Sequence, residues 1–220
     1  MGRQCLVAVC VWTWILISSL AAPVAKFPLQ FSANLTLTAN QISADSEYPP
    51  RVRRMAVHYD YDNLRARVDI EEGYEAAKFY IRRYDLKREY MVRLPPINDC
   101  KRSFLNEPMP YPLLPTTTSF VGQETIENVP CNYFLFEELD TRIHMYFAVS
   151  TGAPHRLIQE STSKGVQEST PMLTYDFSDV VLGSPGDANF ELPQEFSHDK
   201  CERFIGGFPY QHIFHYFVKF

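Results

Sequence analysis

The chain has 220 residues and carries 26 acidic against 21 basic side chains, a formal net charge of −5. An acidic chain whose Arg and Lys are interspersed rather than gathered into a stripe is a poor partner for nucleic acid, and none is expected. The length suits one domain with a substantial core and is short for two.

Residues 1–21 have the layout of a secretory signal peptide. Arg3 precedes an apolar run from Cys5 to Leu20, and Ser19 and Ala21 supply the small residues before a cleavage point. The alternative is an uncleaved membrane anchor, but the run falls short of the roughly 20 residues needed to cross a bilayer and contains Thr13, Ser18 and Ser19. Cleavage after Ala21 leaves one β domain, residues 22–220, with Arg3 gone and a net charge of −6. Such a chain belongs outside the cell, or in the lumen of a secretory-pathway or lysosome-like compartment. Cys5 and Cys10 leave with the signal, so Cys100, Cys131 and Cys201 are the cysteines that remain. Three cysteines permit three single bridges, and spacing does not choose among them. Asn34-Leu35-Thr36 is an N-glycosylation sequon, which places a glycan on Asn34 in a eukaryotic host.

Period-two alternation, the mark of strands with one buried face, dominates the rest of the chain. Phe31, Ala33, Leu35 and Leu37 alternate with Ser32, Asn34, Thr36 and Thr38, which predicts a strand with an apolar inner face. Residues 54–61 and 64–70 form a hairpin around Asp62-Asn63. Residues 78–84 and 89–94 form a second, turning at 85–88. Pro95, Pro96, Pro108, Pro110, Pro112 and Pro115 then interrupt the pattern, so residues 95–118 are expected to be an irregular surface strap. Strands resume at 133–138, 142–151 and 156–160, the last two joined through Gly152-Ala153-Pro154. Another at 172–177 precedes a loop at 183–186, and residues 191–196 are the one place for a short helical turn. The tail, residues 204–220, holds five Phe, two Tyr, two Ile and one Val. It predicts a final strand completing the sheet, or an aromatic patch docking a membrane or a partner.

This order of segments resembles the ependymin-related proteins and, more broadly, the LolA-like lipoprotein-carrier architecture. The resemblance covers most of the chain after residue 21. It is carried by Tyr59-Asp60-Tyr61-Asp62 with Arg65 and Arg67, by Asp99-Cys100-Lys101, and by Leu114-Pro115 followed by Ser119-Phe120 and Gly122-Gln123. Leu173-Thr174-Tyr175-Asp176-Phe177-Ser178-Asp179, then Phe190, Leu192-Pro193 and Cys201, complete it. It implies a mainly β fold, a curved antiparallel sheet or half-barrel with few short helices, and an apolar pocket that binds a lipid reversibly. It also implies a Cys100–Cys201 disulfide. Cys131 has no counterpart in that pattern, and the aromatic tail runs past where such proteins usually stop.

A curved sheet can keep one apolar face that its own side chains do not fill, which suits holding a hydrophobic molecule. Phe79 and Ile81, their hairpin partners Tyr90 and Val92, and Phe134, Phe136, Met145 and Phe147 are the candidate lining. No catalytic residue is expected: the chain has no Gly-x-Ser-x-Gly elbow, no His-Glu-x-x-His helix and no phosphate-binding glycine loop. His212 and His215 would face opposite sides of a strand and make no metal pair. Cys201 beside His198 is better explained as half of a disulfide than as a nucleophile. Glu137, Glu138 and Asp140, or Asp176 and Asp179, have the residue types of a glycosidase pair, but sequence spacing cannot set the required separation. The same acidic loops could take Ca²⁺ weakly, without EF-hand spacing, and no other cofactor is expected. The leading expectation is a secreted or lumenal carrier of a hydrophobic ligand. The runner-up is an extracellular adhesion or matrix protein, with calcium binding as an option, whose aromatic tail and acidic loops make protein contacts, a homodimer being one such contact.

Overall fold

A computed structural model describes residues 23, 26–46, 51–72, 77–138, 140–162 and 170–208. The expected signal segment, residues 1–21, and residues 209–220 of the aromatic tail lie outside the described residues. Twelve strands account for most of the rest: β1 (Gln30–Ala39), β2 (Val52–Asp60), β3 (Arg65–Glu72), β4 (Lys78–Arg83), β5 (Arg88–Arg93), β6 (Asp99–Phe104), β7 (Ser119–Ile126), β8 (Val129–Glu138), β9 (Thr141–Ala148), β10 (Pro154–Ser161), β11 (Thr170–Leu182) and β12 (Glu202–Arg203). They form one sheet in the order β12-β6-β5-β4-β3-β2-β1-β11-β10-β9-β8-β7. Every neighbour pair is antiparallel except β12, which lies parallel to β6 at the edge.

Alternation gives the sheet its inner face. In β1, Phe31, Ala33, Leu35 and Leu37 are buried while Asn34 between them is exposed. Continued across the ladder, the same phase brings Met55, Val57 and Tyr59 of β2, Tyr175 and Phe177 of β11, and Met145 and Phe147 of β9 into one apolar cluster. That cluster draws on eight consecutive strands, from β4 across to β8. Among the described residues no α-helix lies over it, so the sheet itself must curve, putting these side chains on the concave side. Fully burying each Phe, Leu or Met there is worth about 1.5–3 kcal/mol, which is why the phase of the strands is not negotiable.

Three expectations change. The strap is shorter than proline content suggests, because residues 99–104 form β6, paired with β5, and an unexpected strand, β7, follows it at residues 119–126. Both are poor in inward-facing apolar residues: β6 reads DCKRSF, and every residue of β7 is exposed or half-buried. Among the described residues the single helical element is a 3₁₀ turn at Asp187–Phe190, before the 191–196 segment where a turn was expected. There the chain only bends, with the Phe196 N–H donating to the Pro193 carbonyl at 2.9 Å.

Candidate ligand site on the concave face

The concave floor is apolar over most of its width, with Val68 and Tyr80 at one side and Phe134, Phe136 and Ile143 at the other. Two segments close over it. Phe27, ahead of β1, inserts with its ring 5.3 Å edge-on from Phe147 and 6.4 Å from Phe177. The strap between β6 and β7 contributes Leu105, Met109 and Leu114, all buried in the same cluster. Its prolines leave it few donors, and residues 106–117 make no backbone hydrogen bond to any strand among the described residues. The strap is held instead by side chains: the Tyr59 hydroxyl donates to the Pro110 carbonyl, Tyr61 packs edge-on against Tyr111 at 4.8 Å, and Arg82 pairs with Glu107.

Arg82 and Glu89 are the charged pair of this face. They stand opposite each other on β4 and β5, 5% and 2% exposed. Arg82 Nη2 lies 3.2 Å from Glu89 Oε2, and the Phe208 N–H donates to Glu89 Oε1 at 3.0 Å. Burial raises the Glu89 carboxyl pKa above its ordinary 4.5, outweighing the Phe208 N–H and the Arg82 charge that pull it down. The folded state therefore binds this proton more tightly than the unfolded chain, and the stability it contributes grows as pH falls through that window. Asp60 behaves oppositely. Burial pushes it up, but hydrogen bonds from Gln30, Asn63 and Arg65 win and hold it below 3.8, so its contribution is lost only in stronger acid. Wild type is expected to gain stability relative to Glu89→Gln as pH drops from about 7 to 5 in chemical unfolding. A difference that does not change with pH would contradict this.

The eight predicted lining residues do not share one surface. Phe134, Phe136, Met145 and Phe147 lie in the concave cluster. Phe79, Ile81, Tyr90 and Val92 point to the other side of the sheet, where they form a separate core with Cys100, Cys201, Leu192 and Phe196. The two halves of the expected lining are thus divided by the sheet itself. Alternation was correct within β4 and β5 but does not say which face is inward when both are covered. Here the 187–201 segment covers the convex one, fastened by the Cys100–Cys201 disulfide and by Arg65, which reaches Asp187 at 2.6 Å and stacks 4.4 Å over Phe190. The concave neighbours missed by sequence reading are Tyr80, Arg82, Glu89 and Met91. An Arg and a Glu directly opposite in a hairpin were the available signal.

Other sequence candidates are accounted for locally. Asn34 is exposed on the convex side, its amide donating to Asp179 at 2.9 Å. Cys131 is a free, buried thiol whose pKa burial raises, the character of an inert cysteine. Glu137 pairs with Arg142 at 2.5 Å and Asp176 with Arg156. His212 and His215 lie outside the described residues. Among the described residues no group of three His, Cys, Asp or Glu is arranged to hold a metal, so the acidic loops present no calcium cluster there.

This geometry defines a class: an open, curved sheet of twelve strands, antiparallel but for β12, with an apolar concave face closed by a strap. Among solved structures the chain is similar to an uncharacterized conserved protein from Thermus thermophilus, at 9% identity and a TM-score of 0.53, over 80% of this chain and 91% of that one. At that identity the likeness speaks for the fold alone. It is also similar to a LolA superfamily protein from Nitrosomonas europaea (14% identity, TM-score 0.36, 76% and 93% of the two chains). A third is the Pseudomonas aeruginosa MucA/MucB complex (11% identity, TM-score 0.48, 76% and 56%). No family model and no curated protein matches the sequence.

Proposed function

We propose that the protein is a carrier or sequestering protein for a hydrophobic ligand of lipid type, working on the extracellular or lumenal side of a membrane. The ependymin-related resemblance of its motifs supports this reading, and so does the presence of a disulfide. The observation that carries it is the cover. An apolar floor drawn from eight strands is closed by a strap whose residues 106–117 make no backbone hydrogen bond to any strand among the described residues and which packs Leu105, Met109 and Leu114 into the core. Displacing those three side chains opens the floor without breaking a strand pair, so a ligand takes the place of the strap against the sheet. The protein performs no chemistry in this role and uses no resident cofactor, and any Ca²⁺ bound by its acidic loops is weak and incidental.

The test is to secrete the full chain from eukaryotic cells, extract it with organic solvent, search the extract for lipid by mass spectrometry, and titrate it with a fluorescent fatty acid. Co-purified lipid and saturable binding are expected. Leu114→Ser is expected to speed release about tenfold or more, because it removes one of the three anchors of the strap. An empty extract together with no fatty-acid binding would overturn the carrier. Self-association lost on polar substitution of Phe214 and Phe217 would instead favour the adhesion protein. The same preparation, treated with an endoglycosidase, reports the proposed Asn34 glycan as a mobility shift that Asn34→Gln abolishes.

A further inference from the structure

Beside the edge pair β6 and β12 lies a hollow of about 570 Å³, none of whose lining residues belongs to the concave cluster; Lys87, Arg88, Arg102, Arg203, His198 and Phe104 are in its lining, and among the described residues no carboxylate is. Most arginines elsewhere among the described residues are neutralised, Arg51 and Arg53 excepted. Arg54, Arg65, Arg67, Arg82, Arg83, Arg93, Arg142 and Arg156 each pair with a carboxylate. Among the described residues Lys87, Arg88, Arg102 and Arg203 have no such pair. Like charges collected without a paired carboxylate repel one another, and an anion in the hollow relieves them.

Arg102 is already set in place. Its Nε donates to the Cys201 carbonyl at 3.1 Å, and Nη1 lies 2.8 Å from His198 Nε2. A guanidinium can only donate, so His198 Nε2 accepts, and the ring proton sits on Nδ1, 2.9 Å from the Tyr90 hydroxyl. Burial, with Arg88 and Arg102 nearby, outweighs the adjacent Asp199 and keeps the His198 pKa below its usual value, in keeping with that neutral ring. The remaining Arg102 donors form a pre-set planar fork of the kind that matches phosphate oxygens. Around the mouth, Ile205 is 91% exposed, Phe104 65% and Phe204 40%. Cations beside exposed apolar side chains are the pattern of a surface that meets headgroups with its charges and the acyl boundary with its apolar groups.

We propose that this hollow binds the phosphate of an anionic phospholipid headgroup and docks the protein on an anionic membrane surface, with Ile205 entering the interface. The site is independent of the concave-face reading and works whether or not that face holds a lipid.

The test is co-sedimentation of the full secreted chain with phosphatidylcholine vesicles, with and without phosphatidylserine. Binding is expected only with phosphatidylserine, and it falls as salt rises. Lys87→Ala/Arg88→Ala/Arg203→Ala is expected to weaken it about 100-fold, roughly fivefold per cation removed. Lys26→Ala/Arg51→Ala/Arg53→Ala removes the same charge outside the hollow and is expected to change it much less. Ile205→Ser weakens vesicle binding further without altering the melting curve. Equal losses in the two triple variants, or equal binding to vesicles lacking phosphatidylserine, overturn the proposal. So does calorimetric binding of inorganic phosphate with no vesicle binding, which would make this a site for a free anion.

Discussion

Replacing Cys100 and Cys201 by serine is expected to lower the unfolding free energy by about 4 kcal/mol, the size of effect that closing a loop of this length has on the unfolded chain. For a domain of this size that corresponds to a fall in melting temperature of roughly 8–16 °C. The consequence is also local. The bridge ties the 187–201 segment to β6, and that segment covers Phe79, Ile81, Tyr90 and Val92. Loss of the bridge therefore exposes the convex core and loosens the Arg102–His198 arrangement. Urea unfolding of wild type and the double variant, followed together with hydrophobic-dye binding, measures both effects. A shift below about 1 kcal/mol would show that the convex cover is held by its packing alone.

Arg82→Ala is the second large effect. It removes the cation from a buried pair and leaves Glu89 uncompensated at 2% exposure, a loss expected to cost about 3–5 kcal/mol at neutral pH. It also frees Glu107 and with it one tether of the strap, so proteolysis within residues 105–118 should speed up. The stability loss should shrink in mild acid, because protonating Glu89 removes the uncompensated charge. Arg82→Ala/Glu89→Gln is then expected to recover part of it at pH 7. If the single variant melts like wild type at neutral pH, the pair is not coupled to folding as described.

Much of the sheet was legible because its signal is local. In β1, β2 and β9 a hydrophobic residue at every second position needs a single covered face, and those strands fall where the pattern placed them. The edge strand β7 and β6, flanked on its outer side by only the two-residue β12, were not legible, since strands at a margin need backbone partners more than buried side chains, and DCKRSF has no alternation to detect. The resemblance implied the Cys100–Cys201 bridge, while the bare spacing of three cysteines left three choices open. The candidate site was half legible: Phe134, Phe136, Met145 and Phe147 reach the concave cluster, and the β4–β5 residues do not.

By itself, then, the order of residues determined that this chain makes strands, where most of them run, and which side chains within each strand share a face, because side-chain direction alternates along any extended backbone. Only the tertiary structure decided which of the two faces of β4 and β5 looks inward. Four successive residues of β4, Phe79 to Arg82, are buried, one face by the curved sheet and strap and the other by a segment that returns from residues 187–201. That burial is produced by chain more than 100 residues away in sequence, so no pattern inside the hairpin carries it.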